Sequence, residues 1–527
     1  MEHVEFVIFG LLLATAGLAV LAGLLRVPYP ITLVLGGTAI GFLPGVPTVE
    51  LEPDLVLLIF LPPLLYGAAF FTSLRDLRRN ARPIALLSIG VVLATMGAVA
   101  VVAHHLIGLG WAESFVLGAI VSPTDAVAPA EIMRRLGAPR RLLTIVEGEN
   151  LTNDWTALVL YRVAVAAVVT GSFSLPEASL RFVLSGLGGL AVGLVAGRVI
   201  REVRARLDDP PTEITISILS GYAAYLPAEE IGASGVIAAV TVGVYMGWHT
   251  PQLTTPLMRI QGVSVWEILT FLLNAVLFLL VGLQLPLVLD EITGYSAWEM
   301  LAWGALVSLV VIMVRLLWGF TVTYLLRAID RRPQQVERRS SPRERLVVGW
   351  AGMRGSVSLA AALALPLETD AGTPFPEREL IVFLAFAVIF ATLIGQGLTL
   401  GPLINRLGVR DDGSEQREEL RARVALAEAA LARIEELAGE DWVFDDTVER
   451  VRGMYNYRRR RFAARDGDSD EDGSALEERS GQYLRVMFEL LDAQREELLE
   501  LRNAGDISDE VRRRIERELD LEESRLG

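Results

Sequence analysis

The stretch Glu149-Asn150-Leu151-Thr152-Asn153-Asp154 lies in the middle of an apolar segment that runs from about residue 141 to residue 170. A segment of this length can cross a bilayer as a helix, which needs about 20 residues. A charged side chain at that depth costs roughly 2.5 to 3.5 kcal/mol on insertion scales. An acid inside a membrane helix therefore marks a candidate functional site, and the question is what it binds.

The rest of the chain fits a membrane protein. Of its 527 residues, 52% are hydrophobic, which is typical of a polytopic membrane protein rather than a soluble one. Charge is distributed unevenly, because residues 411–527 hold 33 Asp and Glu against 20 Arg and so carry −13 of the total −15. The sequence predicts an all-α polytopic membrane body joined to an acidic, water-soluble tail. Such a tail argues against nucleic-acid binding.

Two residue types are missing from the sequence. There is no cysteine, which excludes disulfides, thiolate nucleophiles and cysteine metal sites. There is also no lysine, so the 48 basic residues are all arginine. Because arginine keeps its proton in proteins, each buried base is predicted to be a fixed positive charge.

Thirteen apolar runs are long enough to span a bilayer. Arg-rich connections, such as Arg75–Arg82 and the cluster Arg327–Arg345, alternate with acidic or neutral ones, such as Pro44–Pro53. By the positive-inside rule the Arg-rich set is cytoplasmic, which places the N-terminus outside and the tail inside. The runs lie near residues 4–25, 30–46, 54–73, 83–107, 112–135, 141–170, 179–200, 212–227, 232–248, 262–285, 297–326, 346–367 and 379–405.

The tail, residues 407–527, is helical by its pattern. Two seams of apolar residues recur at spacings of three and four, and each is short for a coiled coil. A bundle packed on itself and a dimeric coiled coil therefore both stay open, and Asp466–Gly473 is predicted to be an acidic flexible linker. The first seam is Leu420, Val424, Ala427, Leu431, Ile434 and Ala438, and the second is Leu484, Met487, Leu491, Leu498 and Leu501.

Two spans are interrupted by helix-breaking residues. The fifth contains Ser122-Pro123-Thr124-Asp125, where proline removes an amide donor. The twelfth contains Gly352-Met353-Arg354-Gly355-Ser356, where two glycines permit unwinding. Two broken spans, one early and one late, indicate an inverted-repeat transporter with its site near the bilayer midplane. Asp125 is expected to offset the positive helix ends there, and Arg354 the negative ones.

Spacing within the sixth span separates two faces. Asn150 and Asp154 are four residues apart and share one face, and we predict that this face borders the ion pathway. Asp154 has no predicted permanent cation beside it, and burial without a cation favours a neutral carboxyl. It is therefore expected to bind either a proton or a monovalent cation, but not both at once. Such competition is the minimal chemistry of an exchanger.

The neighbouring face carries Glu149 and Asn153, which predict a supporting polar network. Glu149 is expected to pair with Arg354, and Asn153 to hydrogen-bond to Asp125 or to the Thr124 backbone. We interpret this network mainly as structural, holding the broken helices together with indirect effects on transport. Arg315, in the eleventh span, is likewise interpreted as structural.

These stretches resemble the sodium/proton exchangers of the cation:proton antiporter superfamily, in particular its electroneutral branch. The Asn153-Asp154 pair with its preceding acid is the most specific element. The match extends over the membrane body, residues 1–406, and not over the tail. It is carried by Leu61–Leu65, Ser122–Asp125, Glu147–Asp154 and Gly352–Pro366, with support from Phe278–Gln284 and Ala233–Val236.

The resemblance implies a homodimer in which spans 1–3 and 7–10 form a scaffold and spans 4–6 and 11–13 form a core that moves like an elevator. It implies that Asp154 binds Na⁺ or Li⁺, with oxygen ligands from Asn150 and Thr124 and support from Ser122. Asn153 stands beside Asp154 where electrogenic relatives carry two acids, and this implies one-for-one, electroneutral exchange. No cofactor is implied beyond the transported ions.

Two departures from the family pattern affect the site. Asn150 stands where members often have serine, and a carboxamide oxygen can also bind sodium. Tyr66-Gly67-Ala68 stands where many members carry an acid after the two prolines of the third span. A cation contact from the third span is therefore not expected in this chain.

The sequence predicts a plasma-membrane antiporter and not an enzyme. Potassium/proton exchange is the alternative within the class, because a buried aspartate does not by itself select an ion. A membrane sensor that signals through its tail without transport is a remote alternative. An intramembrane protease is disfavoured, because the sequence has no His-Glu-x-x-His motif and neither Asp125 nor Asp154 has the Gly-x-Gly-Asp context of aspartyl intramembrane proteases.

Overall fold

The computed structural model describes residues 4–44, 53–292, 294–329, 341–411, 413–440, 442–465 and 472–526. The chain divides into two compact units, Met1–Asp411 and Asp412–Gly527, named here the membrane unit and the tail. The boundary predicted from sequence was after residue 406. Most of the loop Pro44–Pro53 and the middle of the cluster Arg327–Arg345 lie outside the described residues.

Helices make up the membrane unit, and each predicted span lies on one helix or on a pair of short ones. Apart from an isolated bridge between Glu368 and Pro374, the regular structure of its described residues is helical. The helices are α1 (Val4–Leu25), α2 (Tyr29–Gly41), α3 (Pro53–Phe71), α4 (Leu74–Arg79), α5 (Ala81–Ile107), α6 (Trp111–Val121), α7 (Val127–Arg135), α8 (Arg140–Thr170), α9 (Leu175–Arg204), α10 (Pro210–Glu230), α11 (Gly235–Leu253), α12 (Pro256–Glu291), α13 (Ala297–Ile329), α14 (Pro342–Trp350), α15 (Ser356–Leu363) and α16 (Arg378–Leu407).

Five of the described helices are long and apolar enough to cross a membrane on their own, namely α5, α9, α12, α13 and α16. Local signals explain where many of the helices begin and end. Ser341 and Glu344 form a capping box at the start of α14, which satisfies two orphan amides. At the other end of a helix, Gly171 follows α8 with φ 67°, a conformation that glycine adopts at little cost.

The two predicted breaks are confirmed. Ser122–Ala126 separates α6 from α7, and Ala351–Gly355 separates α14 from α15. The two broken segments touch, because the Asp125 amide donates to the Met353 carbonyl at 2.8 Å. Each break therefore supplies a backbone partner to the other, as non-helical backbone inside a membrane protein requires.

Close backbone approach holds α2 against α12. A Cβ built on Gly37 would collide with the Leu279 carbonyl, and one built on Gly282 would collide with the Val34 carbonyl. Small residues at such a contact let two membrane helices approach closely and gain dispersion energy. The sequence pattern of these two spans did not indicate that they pair.

The tail contains α17 (Ser414–Leu437), α18 (Asp445–Arg465), α19 (Asp472–Ala504) and α20 (Asp509–Leu526). The first two form an antiparallel hairpin, in which Arg452 donates to both Glu435 oxygens at 2.7 and 2.9 Å. Residues 466–471 of the predicted linker lie outside the described residues. Its last two residues, Asp472 and Gly473, already belong to α19, so the linker is shorter than predicted.

Candidate functional site

The crossing of the two breaks is held by side chains at the helix ends. Asp125 accepts a hydrogen bond from the amide of Val127, the first residue of α7, at 2.8 Å. A Cβ at Gly355, just before α15, would collide with the Asp125 carboxylate. The carboxylate therefore lies against the N-terminal ends of two short helices, where backbone dipoles favour a negative charge.

Arg354 lies at the opposite kind of helix end, where a positive charge is favourable. Its side chain is fully buried, and its Nε donates to the carbonyl of Val121, the last residue of α6, at 3.0 Å. A terminal nitrogen donates to the Gly352 carbonyl, and the backbone amide donates to Thr392 in α16 at 3.0 Å. A positive charge thus satisfies carbonyls left open at the C-terminal end of a helix, as expected from the sequence.

The predicted pairing of Glu149 with Arg354 is wrong. Glu149 is paired with Arg315 of α13, whose two terminal nitrogens each donate to one carboxylate oxygen, one of them at 2.8 Å. The same guanidinium donates to the Val348 carbonyl at 3.2 Å. Gly352 makes room for this arrangement, because a Cβ there would collide with the Arg315 side chain.

One sequence signal could have indicated that Arg315, already interpreted as structural, has a buried acidic partner. From residue 300 to residue 326 of its apolar span it is the only charged residue, and a lone charge at such depth requires a partner. Arg354 is occupied by the carbonyls around its own break. The arginine from the unbroken helix is therefore the one that reaches Glu149.

Asn153 joins the same network. Its Nδ2 donates to the Thr124 carbonyl at 3.2 Å and to the Thr124 hydroxyl oxygen at 2.8 Å, so the predicted bond to the Thr124 backbone is confirmed. The Thr124 hydroxyl in turn donates to Glu149 at 3.1 Å. Ser122 donates to the Ala119 carbonyl of its own helix at 3.0 Å. The hydrogen bonds of Thr124 to Glu149 and Asn153 connect the first break to the middle of α8.

Asp154 lies outside this network. Its exposed fraction is 4%, yet the described residues provide it with no hydrogen bond or ion pair. It borders a cavity of about 130 Å³ together with Asn150, while Glu149 and Asn153, on the neighbouring face of the helix, are not among the lining residues. The cavity is lined by Phe60, Leu61, Leu64, Leu65, Ala68, Pro123, Thr124, Asp125, Val127, Asn150, Asp154, Thr270, Asn274, Leu277, Gly355, Ser356, Val357, Ser358 and Ala360.

Three polar residues of this cavity were missed by the sequence analysis. Thr270 and Asn274 come from α12, where the Asn274 amide donates to the Thr270 carbonyl at 2.9 Å. Ser358 comes from α15, and its buried hydroxyl has no partner among the described residues. The spacing of Thr270 and Asn274, four apart on an apolar helix, was the available signal.

The cavity wall from the third span is apolar. Ala68 and Leu64 line it, whereas a Cβ at Gly67 would meet the Trp266 ring at 2.9 Å. The polar side chains among the lining residues are hydroxyls, carboxylates and carboxamides, whose oxygen atoms suit a hard cation. The described residues contain no cluster of three His, Cys, Asp or Glu side chains that could hold a metal ion.

Comparison with known proteins identifies the chain. The model of the family described as sodium/hydrogen exchanger, transmembrane, matches residues 10–406. An uncharacterized Na(+)/H(+) exchanger of Mycobacterium tuberculosis is 38% identical over 98% of this chain and 96% of its own length. The Na(+)/H(+) antiporter ApNhaP of Aphanothece halophytica is 34% identical over 82% of this chain and 81% of its own.

The fold also has a solved counterpart. The sodium proton antiporter MjNhaP1 from Methanocaldococcus jannaschii matches with a TM-score of 0.61 at 22% identity, covering 77% of this chain and 99% of that structure. At this identity the likeness concerns the fold alone. The family model and the full-length relatives together show that the chain belongs to the sodium/hydrogen exchanger family of multi-pass membrane antiporters, whose members exchange sodium ions for protons.

Proposed function

We propose that Asp154 is the single carboxylate that binds Na⁺ (or Li⁺) and a proton in turn, so that one cation is exchanged for one proton. One observation carries the proposal: Asp154 borders the cavity without a partner among the described residues, whereas Glu149 is held by Arg315. A paired carboxylate keeps its charge, but an unpaired buried one must bind a cation or a proton.

The cation would be held by oxygen atoms that line the cavity. Asp154 supplies a carboxylate, Asn150 a carboxamide oxygen and Thr124 an oxygen at the first break. The Thr124 hydroxyl already accepts from Asn153 and donates to Glu149, so its position is fixed by the network. The network residues, including Asp125 and Arg354, therefore act on the ion by holding this ligand in place.

Electroneutral exchange follows from the charges around the cavity. Arg315 and Arg354 are fixed positive charges, because arginine does not lose its proton in proteins, and Arg315 is paired with Glu149. Asp125 also lines the cavity, but it accepts a hydrogen bond from the Val127 amide at a helix N-terminus. Asn153 is neutral, and no lysine exists in the chain to carry a second proton. With Asp154 alternating between a bound cation and a bound proton, each half-cycle moves one positive charge.

The movement would follow the architecture expected for the family. Thirteen spans with inverted repeats would form a scaffold from spans 1–3 and 7–10 and a core from spans 4–6 and 11–13. The core would carry Asp154 between the two sides of a plasma membrane within a homodimer, with the N-terminus outside and the tail inside. The likeness in fold to MjNhaP1 supports the helical architecture of this arrangement.

Reconstituted vesicles test this proposal. The purified protein is placed in liposomes with an internal pH dye, and proton movement is recorded on adding Na⁺, Li⁺ or K⁺, with and without an imposed membrane potential. We expect responses to Na⁺ and Li⁺ that are unaffected by the potential. A larger response to K⁺ would establish the potassium alternative, a rate that follows the potential would exclude one-for-one exchange, and no response to any ion would favour the sensor.

A further inference from the structure

One helix of the acidic tail has the opposite charge. Between Asp445 and Arg465, α18 holds seven arginines against three acids, whereas residues 411–527 as a whole have a net charge of −13. Four of its arginines are consecutive, Arg458–Arg461. A local reversal of this kind on an acidic unit indicates a surface for an anionic partner.

Most of these arginines form no ion pair within the described part of the tail. Arg452 pairs with Glu435 across the hairpin, and Arg512 of α20 pairs with Glu516 and Asp509. For Arg450 and the run Arg458–Arg461, by contrast, the described part of the tail provides no ion pair. Their charge remains available to a partner outside the unit.

Apolar side chains accompany the free charges. Trp442 and Phe444, just before α18, are 71% and 76% exposed, and Met454 and Tyr457 are exposed on the helix itself. Arg450, Met454 and Tyr457 recur at the spacing of one helical face. This face therefore combines positive charge, an aromatic ring and a flexible thioether, and two further exposed aromatic side chains lie just before the helix. Such a combination is found on helices that lie in a membrane interface.

The opposite face of α18 packs on α17. Val448 is buried, and the Arg423 guanidinium of α17 lies 5.3 Å from the centre of the Phe462 ring. Because the hairpin is antiparallel, the arginine run lies beside the N-terminal half of α17. That helix begins at Ser414, shortly after α16 ends at Leu407. Chain connectivity therefore favours the membrane over a soluble partner, because the tether raises the effective concentration of lipid.

We propose that the exposed face of α18, together with Trp442 and Phe444, binds the anionic phospholipid headgroups of the membrane that holds the same chain. The arginines bind phosphate oxygens, and the aromatic side chains enter the interface between headgroups and acyl chains. This contact orders the tail at the bilayer surface. It does not depend on the ion-binding role of Asp154, so either proposal can fail without the other.

A single label on α18 tests the contact in the full-length protein. Gly453→Cys introduces a unique thiol, since the chain has no cysteine, at a position where a Cβ meets nothing within 4 Å. The thiol is labelled with an environment-sensitive dye, and the protein is placed in nanodiscs of phosphatidylcholine alone or mixed with phosphatidylglycerol. We expect a blue shift and protection from aqueous iodide only with the anionic lipid. About 1 M salt should reverse both effects, because the Debye length is then about 3 Å.

Charge removal provides the matched comparison. Changing Arg450, Arg458 and Arg461 together to Gln is expected to lower the ratio of membrane-bound to free tail at least about tenfold. Changing Arg512, Arg513 and Arg514 to Gln removes the same charge from α20 and is expected to leave the ratio unchanged. Thermal unfolding and sodium-driven proton flux, measured for both variants, check that the protein stays folded.

Four results would overturn the proposal. The label could stay exposed in anionic nanodiscs, or be protected equally in neutral ones, which would remove the role of charge. Equal loss from both triple variants would show a general effect of tail charge. Protection that appears in lipid-free detergent and grows with protein concentration would show that a second copy of the tail covers this face instead.

Discussion

Arg315 and Glu149 form a bidentate ion pair between α13 and α8, with exposed fractions of 1% and 2%. Arg315 also donates to the Val348 carbonyl of α14, so one guanidinium joins three helices. Both oxygens of the Glu149 carboxylate accept from this guanidinium, so Glu149 has a permanent cationic partner. The pair therefore leaves Asp154 as the acid of α8 that is open to exchange.

Replacing Arg315 tests how much this ion pair contributes to the stability of the fold. We expect Arg315→Met to lower the free energy of unfolding by about 3–5 kcal/mol, because it leaves a buried carboxylate without its partner. The double variant Arg315→Met with Glu149→Leu should be milder. Thermal unfolding in detergent measures both, and Arg181→Met, which breaks an exposed pair with Glu177, is the control. A single variant as stable as this control contradicts the assignment.

Arg354 should act on the break rather than on Glu149. We expect Arg354→Gln to lower the melting temperature, because the carbonyls of Val121 and Gly352 lose their donor. In double-mutant cycles with Glu149→Gln, the coupling energy of Glu149 with Arg315 should exceed its coupling with Arg354. The reverse order of the two coupling energies would restore the pairing predicted from sequence.

Asp154→Asn should abolish sodium-driven proton flux while the protein stays folded. The substitution preserves shape but removes the charge that binds the cation and the group that binds the proton. The melting temperature should stay the same or rise, since an unpaired buried carboxylate is lost. Asp209→Asn is a suitable control, because Asp209 only caps α10 and asparagine caps equally well. Sodium-dependent proton flux that persists in the Asp154 variant would contradict the role of Asp154 as the ion-binding carboxylate.

Competition at one carboxylate predicts a specific pH dependence. As the pH falls, protons occupy Asp154 and the apparent KM for Na⁺ should rise, by at most about tenfold per pH unit for a single proton. The maximal rate at saturating Na⁺ should change much less. Flux titrations at several symmetric pH values measure both quantities. A KM that stays constant while the maximal rate falls would show that protons act elsewhere.

Gly355→Ala should disrupt the crossing of the two breaks. The added Cβ collides with the Asp125 carboxylate, so the backbone or the acid must move, at a cost of about 1–3 kcal/mol. We expect lower stability and loss of flux. Gly97→Ala is the control, because a Cβ in that part of α5 meets nothing within 4 Å and alanine favours the helix. Normal flux in the Gly355 variant would show that the crossing tolerates displacement.

Local signals allowed the helices and their breaks to be predicted. Pro123 and the glycines at 352 and 355 favour an interruption for local reasons, because proline lacks an amide donor and glycine has a flexible backbone. The spacing of Asn150 and Asp154 fixes a common face, because the helical period is a local property. The bond from Asn153 to the Thr124 backbone was one of two predicted alternatives, the other being Asp125, since all three were expected at one depth in adjacent spans.

Partners across the bundle could not be predicted in the same way. Depth along a helix axis placed Arg354 level with Glu149, but depth does not say which helices are neighbours or which way a side chain turns. For the same reason, the sequence did not predict that Thr270 and Asn274 of α12 line the cavity. Their helix is held against α2 by Gly37 and Gly282, a contact between residues far apart in sequence.

The sequence by itself determined a polytopic helical protein with two broken spans and an acid at mid-membrane depth, because hydrophobic length, proline, glycine and helical period act within a few turns. Only the tertiary structure decided which arginine neutralises Glu149. That choice depends on packing between distant helices, where Arg315 reaches the carboxylate through the space left by Gly352. It is this packing that leaves Asp154 without a partner among the described residues, beside the cavity.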